Sequence, residues 1–184
     1  MKDDLKYKIL KTLAETFDIA KTMKRFPEIP KEDIQSLLLQ FADTFKKREV
    51  VTIYVDGAAR GNPGHAGIGV LILSEDGKVL RRIGKYLGKT TNNVAEYQAL
   101  ITALKEAKTM GVSTIKVFAD SELMVKQIKG EYKIKSEGLK PLYKESMALL
   151  MHFDGYDIIH INREKNSEAD RLANQGIDTM ICPA

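Results

Sequence analysis

The chain has 184 residues, 43% of them hydrophobic and 29% charged, with a formal net charge of +4 and an isoelectric point near 9.0. That composition fits a globular protein with room for one domain and a small appendage; no apolar run approaches the roughly 18 residues of a membrane span, and Lys2, Asp3, Asp4, Lys6 and Lys8 leave no apolar segment for a secretory signal. On those grounds the expected compartment is the cytoplasm. The single cysteine, Cys182, excludes an internal disulfide and a cysteine metal cage, so any metal is held mainly by oxygen.

From Leu5 to Met23, the residues Leu5, Ile9, Leu13, Phe17, Ala20 and Met23 fall three or four apart and predict one helix. Pro27 and Pro30 break it. Ile34, Leu37, Leu38, Phe41 and Phe45 form a second stripe, with Lys31-Glu32-Asp33 supplying an acidic first turn. Residues 1–48 therefore read as an N-terminal helical hairpin, closed by Lys46-Lys47-Arg48. This segment holds 11 Lys and Arg against 8 Asp and Glu, and the remainder 18 against 17, so most of the small positive excess lies here. A charge of this size permits a polyanionic partner without demanding one. Its expected roles are self-association or an auxiliary contact with nucleic acid.

The period changes at residue 49. Val50–Val55, Gly67–Leu73 and Val79–Leu87 are rich in β-branched residues and bounded by turn residues, predicting three strands of an antiparallel meander. A helix is predicted from Asn92 to Met110, stopped by Gly111, then a strand over Thr114–Ala119 and a helix over Ser121–Lys129. A helix from about Leu139 to Phe153, a strand over Tyr156–Ile161 and a helix from about Ser167 to Ile177 complete residues 49–184. The order βββαβααβα predicts an α/β domain with a five-stranded mixed sheet flanked by helices.

Four acids stand at the ends of these elements. Asp56 follows the first predicted strand at the mouth of the glycine-rich run Gly57-Ala58-Ala59-Arg60-Gly61-Asn62-Pro63-Gly64. Glu96 is early in the long helix, Asp120 follows the fourth strand, and Asp170 is early in the last helix. Each has a local alternative. Asp-Gly is a hairpin turn signal, Asp120 is placed to cap a helix, and Glu96 and Asp170 suit first turns.

Taken together, Asp56-Gly57 with Arg60-Gly61-Asn62-Pro63-Gly64, then Thr91-Asn92-Asn93-Val94-Ala95-Glu96, then Ala119-Asp120-Ser121, then Asn166 with Asp170-Arg171-Leu172-Ala173 resemble the ribonuclease H type 1 family over about residues 49–180. The resemblance implies the ribonuclease H fold and an endonuclease that cuts the RNA strand of an RNA–DNA hybrid. It implies that Asp56, Glu96, Asp120 and Asp170 converge on two divalent cations, Mg²⁺ first and Mn²⁺ as a substitute, because carboxylate oxygens select hard ions. Two such ions serve both ends of an in-line phosphodiester displacement. For substrate, the resemblance suggests Asn62, Asn92 and Asn93 at the ribose 2′-OH, together with Thr91 and the backbone of Gly57, Ala58 and Gly61.

The sequence departs from the family at the loop after the last strand, where many members carry a histidine and this chain has Asn162-Arg163-Glu164-Lys165-Asn166. Arg163 is the expected stand-in, able to hold a phosphate or leaving group but not to shuttle protons near neutral pH. Alternation points His160 into the sheet, and His65 and His152 have no evident partner. The connection Glu131–Lys140 carries only Lys133, Lys135 and Lys140 in place of a longer basic insertion. Two other readings stay open: a non-catalytic module of this fold that binds nucleic acid or protein, and a related nuclease acting on other nucleic-acid structures.

Overall fold

β-Branched and small residues carry the first strand, β1, from Val50 to Gly61 in a computed structural model, which describes residues 3–44 and 50–181. A hairpin closed by the cis Asn62-Pro63 peptide returns it as β2 (Gly64–Ser74), and a second turn at Gly77 leads to β3 (Val79–Thr90). Both pairings are antiparallel. After helix α4 (Asn92–Thr109) the strand β4 (Thr114–Ala119) joins the other side of β1 in parallel, and β5 (Gly155–His160) lies parallel beyond it. The sheet is the five-stranded mixed sheet expected, with strand order β3-β2-β1-β4-β5.

The length of β1 corrects an expectation. Asp56 does not end the strand; it pairs with Gly69 in the middle of the β1–β2 ladder. Gly57 and Gly61 look like breakers locally, but Gly57 faces Ile68 and Gly61 faces Gly64 across a hairpin that keeps them in register. What ends at this point is the parallel partner, whose last pair is Val55 with Ala119. Asp56 and Asp120 are therefore the next residues on two strands that have just parted.

Alternation along β1 sends Val51, Ile53 and Val55 to one face, where they pack with Ile68, Val70 and Ile72 against Tyr97, Leu100 and Leu104 of α4. Each fully buried Ile or Leu contributes about 1.5–3 kcal/mol by leaving water, and this cluster is the main core. Helices α5 (Glu122–Ile128) and α6 (Lys140–Leu150) extend it through Met124, Val125 and Leu150. Helix α7 (Ser167–Ile181) covers the other face and touches it almost backbone to backbone. A Cβ on Gly69 would lie 1.9 Å from the Ala169 carbonyl oxygen, one on Gly67 2.5 Å from that of Ala173, and one on Gly84 2.7 Å from that of Leu172.

The chain divides into two units, Met1–Lys47 and Arg48–Ala184. In the first, the predicted two-helix hairpin is three helices: α1 (Asp3–Thr16), α2 (Ile19–Arg25) and α3 (Lys31–Thr44). The unbroken stripe from Leu5 to Met23 gives no warning of the break. It falls at Phe17, whose φ is 48°, because Asp18 leaves the helix to cap α2 by accepting from the Lys21 N–H at 3.0 Å. Ile9, Ile34 and Leu37 form this unit's small core. Lys46, Lys47, Arg48 and Cys182 lie outside the described residues. Among the described residues no helix is long and apolar enough to cross a membrane.

Candidate active site

The site opens where β1 and β4 separate. Gly57 makes it possible, since its absent side chain lets the first turn of α4 rest on β1: a Cβ there would stand 2.2 Å from the Glu96 backbone nitrogen. Thr91 caps α4 by accepting from the Val94 N–H, and the Asn62 side-chain oxygen accepts from the Asn92 N–H at 3.1 Å. These contacts place Glu96 beside Asp56. One oxygen each of Asp56, Glu96 and Asp120 lies within 4.8 Å of the other two.

Bringing buried acids together has an electrostatic cost. Asp56 and Glu96 are each only 5% exposed. Burial, then the charges of Asp120 and Asp170, push Asp56 up to about 7; burial, then Asp56 and Asp120, push Glu96 up to about 9. The Gly57 backbone N–H and the Asn92 amide, whose Nδ2 is 3.4 Å from Glu96 Oε1, favour the charged form but do not offset this. Glu96 Oε2 is buried without any hydrogen-bond partner.

Asp170 stands apart from the three. It lines the same cavity, of about 740 Å³, but its Oδ1 accepts from Arg163 Nη2 at 2.6 Å and its Oδ2 faces Asn174 Nδ2 at 3.4 Å. Arg163 is exposed at the rim, held by Asp170 and by the fields of Asp56 and Asp120.

The other predicted contact residues divide by position. Ala58, with Gly57 and Asn92, lines the acid cavity. Gly61 sits in the hairpin turn at φ 105°, a conformation that favours glycine. Asn93 opens instead into a neighbouring furrow of about 580 Å³, lined also by Leu123, Tyr132, Lys133, Lys135 and Ser136.

Sequence reasoning missed three residues. His160 is exposed and lines the acid cavity rather than pointing into the sheet, because β5 ends there. Asn174 is tied to Asp170, and Asn166, which in the sequence only sets the spacing of a motif, is buried beside Asp120. The i, i+4 spacing of Asp170 and Asn174 on a helix was a signal for the second. His65 does have a partner, the Tyr86 hydroxyl, and His152 meets the Ala148 carbonyl oxygen.

A family model described as reverse transcriptase-like matches residues 54–176. Ribonuclease HI of Halobacterium salinarum is 41% identical over 128 residues, which are 70% of this chain and 64% of that protein. LC11-RNase H1, isolated from compost and solved in complex with an RNA/DNA hybrid, superposes with a TM-score of 0.68 at 44% identity, covering 71% of this chain and 99% of that one. The chain belongs to the ribonuclease H family. It spans only 35% of a further relative, a bifunctional protein of Mycobacterium tuberculosis that is 40% identical over 129 residues. The cluster fits the family: its donors are all carboxylate oxygens, and Glu96 Oε2 is left without a hydrogen-bond partner. Cluster and family together point to a divalent cation.

Proposed function

We propose that this chain is a ribonuclease H, an endonuclease that hydrolyses the RNA strand of RNA–DNA hybrids with two divalent cations. The observation that carries the reading is the cluster of Asp56, Glu96 and Asp120; the raised proton affinities of Asp56 and Glu96 and the orphaned Glu96 oxygen support a site built around positive charge. Asp56, Glu96 and Asp120 would hold the ions, with Asp170 joining them from the cavity wall. When bound, Mg²⁺ or Mn²⁺ supplies a more acidic water and neutralises the leaving oxygen.

The protein's own groups do the rest. Asn92 stands on the cavity wall with its amide next to Glu96, where it can both donate to and accept from a ribose 2′-OH beside the acids. Asn62 contributes by holding the α4 N-terminus in place. Arg163 keeps its proton at all working pH values, so it holds a phosphate oxygen or the departing strand rather than transferring a proton.

A duplex has two strands, and consecutive residues of α4 open to different furrows, Asn92 to the acids and Asn93 to the Tyr132 furrow. The first takes the RNA and the second the DNA. Lys126 lies 4.9 Å over the Tyr132 ring and steadies it, offering a face for stacking next to the cations of Lys133 and Lys135.

The test is cleavage of end-labelled RNA–DNA, RNA–RNA and DNA–DNA duplexes of one sequence with Mg²⁺ or Mn²⁺, alongside Asp56→Asn. The expected result is cut RNA in the hybrid alone, lost in the variant. Hybrid bound but uncut by the parent protein would favour a non-catalytic module, and cleavage of the other duplexes a related nuclease.

A further inference from the structure

Asn166 closes a 3-10 turn, Arg163–Asn166, immediately before α7, and is 1% exposed. Its Nδ2 donates to the Val55 carbonyl oxygen at 2.9 Å and to Asp120 Oδ1 at 2.9 Å. Val55 precedes Asp56, Asp120 follows the last residue of β4, and Asp170 lies one helical turn beyond Asn166. One amide thus ties together the three segments that carry three of the four acids.

Its orientation is determined. Both neighbours are acceptors, so the NH₂ group must face them, and Oδ1 is left buried without a donor. A side chain serving only to fill space would not carry that unsatisfied atom.

We propose that Asn166 is a positioning residue for divalent-ion capture, acting through Asp120. A free aspartate side chain explores several rotamers and loses that freedom when it takes up an ion. The Asn166 hydrogen bond removes the freedom in advance, and it fixes Asp120 relative to Asp56 by gripping the backbone next to Asp56. Partners of this kind, one step removed from a metal, typically set affinity by about 10–100-fold. The inference rests on the reading of the three-acid cavity as a divalent-cation site.

The experiment is titration of the full-length protein with Mn²⁺ in the absence of nucleic acid, comparing the parent with Asn166→Ala and Asn166→Leu. The second variant keeps the branched shape and removes the donor. Circular dichroism and melting in chelator monitor folding, and hybrid binding in chelator monitors the rest of the surface. The expected result is Mn²⁺ affinity about 10–100-fold weaker in both variants, hybrid binding in chelator within twofold of the parent, and kcat recovered by raising Mn²⁺. A purely structural defect would show in chelator, as lost ellipticity or lost hybrid binding before any ion is added. Affinity within twofold of the parent in both variants, loss of fold in both, or a parent that binds no Mn²⁺ would overturn the inference. A parent that binds Mn²⁺ in an Asn166-dependent way but cuts no hybrid would overturn the proposed function alone.

Discussion

Gly57 and Glu96 are separated by 39 residues, yet a single methyl group on the first would occupy the space of the second's backbone nitrogen, 2.2 Å away. Gly57→Ala must therefore push α4 from β1 and take Glu96 out of reach of Asp56. The expected outcome is a loss of about 1–3 kcal/mol in stability, as for other overpacked cores, with cleavage abolished although all four acids remain. Denaturant unfolding and the hybrid assay check the two halves separately.

The raised proton affinities of Asp56 and Glu96 make a prediction about the metal-free protein. Each carboxyl binds its proton more tightly folded than unfolded, so its contribution is fully present below the unfolded value of about 4. It is lost as pH rises through about 7 for Asp56 and about 9 for Glu96. Melting temperature in chelator should fall from about pH 5 to about pH 9. Saturating Mg²⁺ should raise it most at the alkaline end, where the cation no longer competes with protons. An equal gain at both ends would count against a shared buried site.

Arg163 tests the mechanism with little effect on the fold. Its pair with Asp170 is exposed, so Arg163→Ala should change stability by less than about 1 kcal/mol. If the guanidinium stabilises charge on the reacting strand, turnover should drop on the order of 10²-fold, and Arg163→Lys should recover part of it. Single-turnover rates at saturating enzyme provide the measurement, and an unchanged rate would remove Arg163 from the chemistry.

The second furrow separates stacking from charge. Tyr132→Ala should weaken hybrid binding by about 1–3 kcal/mol with little change in its salt dependence. Joint replacement of Lys133 and Lys135 by alanine should lower the slope of log affinity against log salt, by up to about 0.9 for each phosphate that is no longer neutralised. Fluorescence anisotropy over a salt series, in chelator to prevent cleavage, distinguishes the two effects.

The helices of the N-terminal unit should not add to phosphate binding. Its described residues 3–44 contain 7 Lys and Arg against 8 Asp and Glu, and its outward groups include Tyr7, Phe17 and Leu39. Deleting residues 1–44, which leaves Lys46 and Lys47 in place, should leave both kcat and the salt slope unchanged, since the main core lies wholly in the second unit. Any change in molar mass by light scattering would then report self-association.

The parts of this molecule legible in its sequence are those fixed by near neighbours. The bounds of β4, Thr114–Ala119, follow from a short apolar run between a glycine stop and an acid, and α4 follows from its alanine and leucine face. Other features depend on partners distant in the chain. Asp56 lies within a strand because Gly69 sits opposite it, and Asp170 turns from the other acids because Arg163 and Asn174 hold its two oxygens. The break at Phe17 depends on competition between one more helical turn and a cap from Asp18, which hydrophobic spacing does not register.

The contact of α7 with Gly67, Gly69 and Gly84 sets helix main chain directly against sheet main chain at three points. Elsewhere in a protein a layer of side chains can be repacked, and the helix it supports drifts by fractions of an ångström as sequences change. Here the standoff of Asp170 is set largely by bond lengths and van der Waals radii of the main chain. The outward side of α7 is then free to vary, while the glycine seam beneath it holds the fourth acid at constant height.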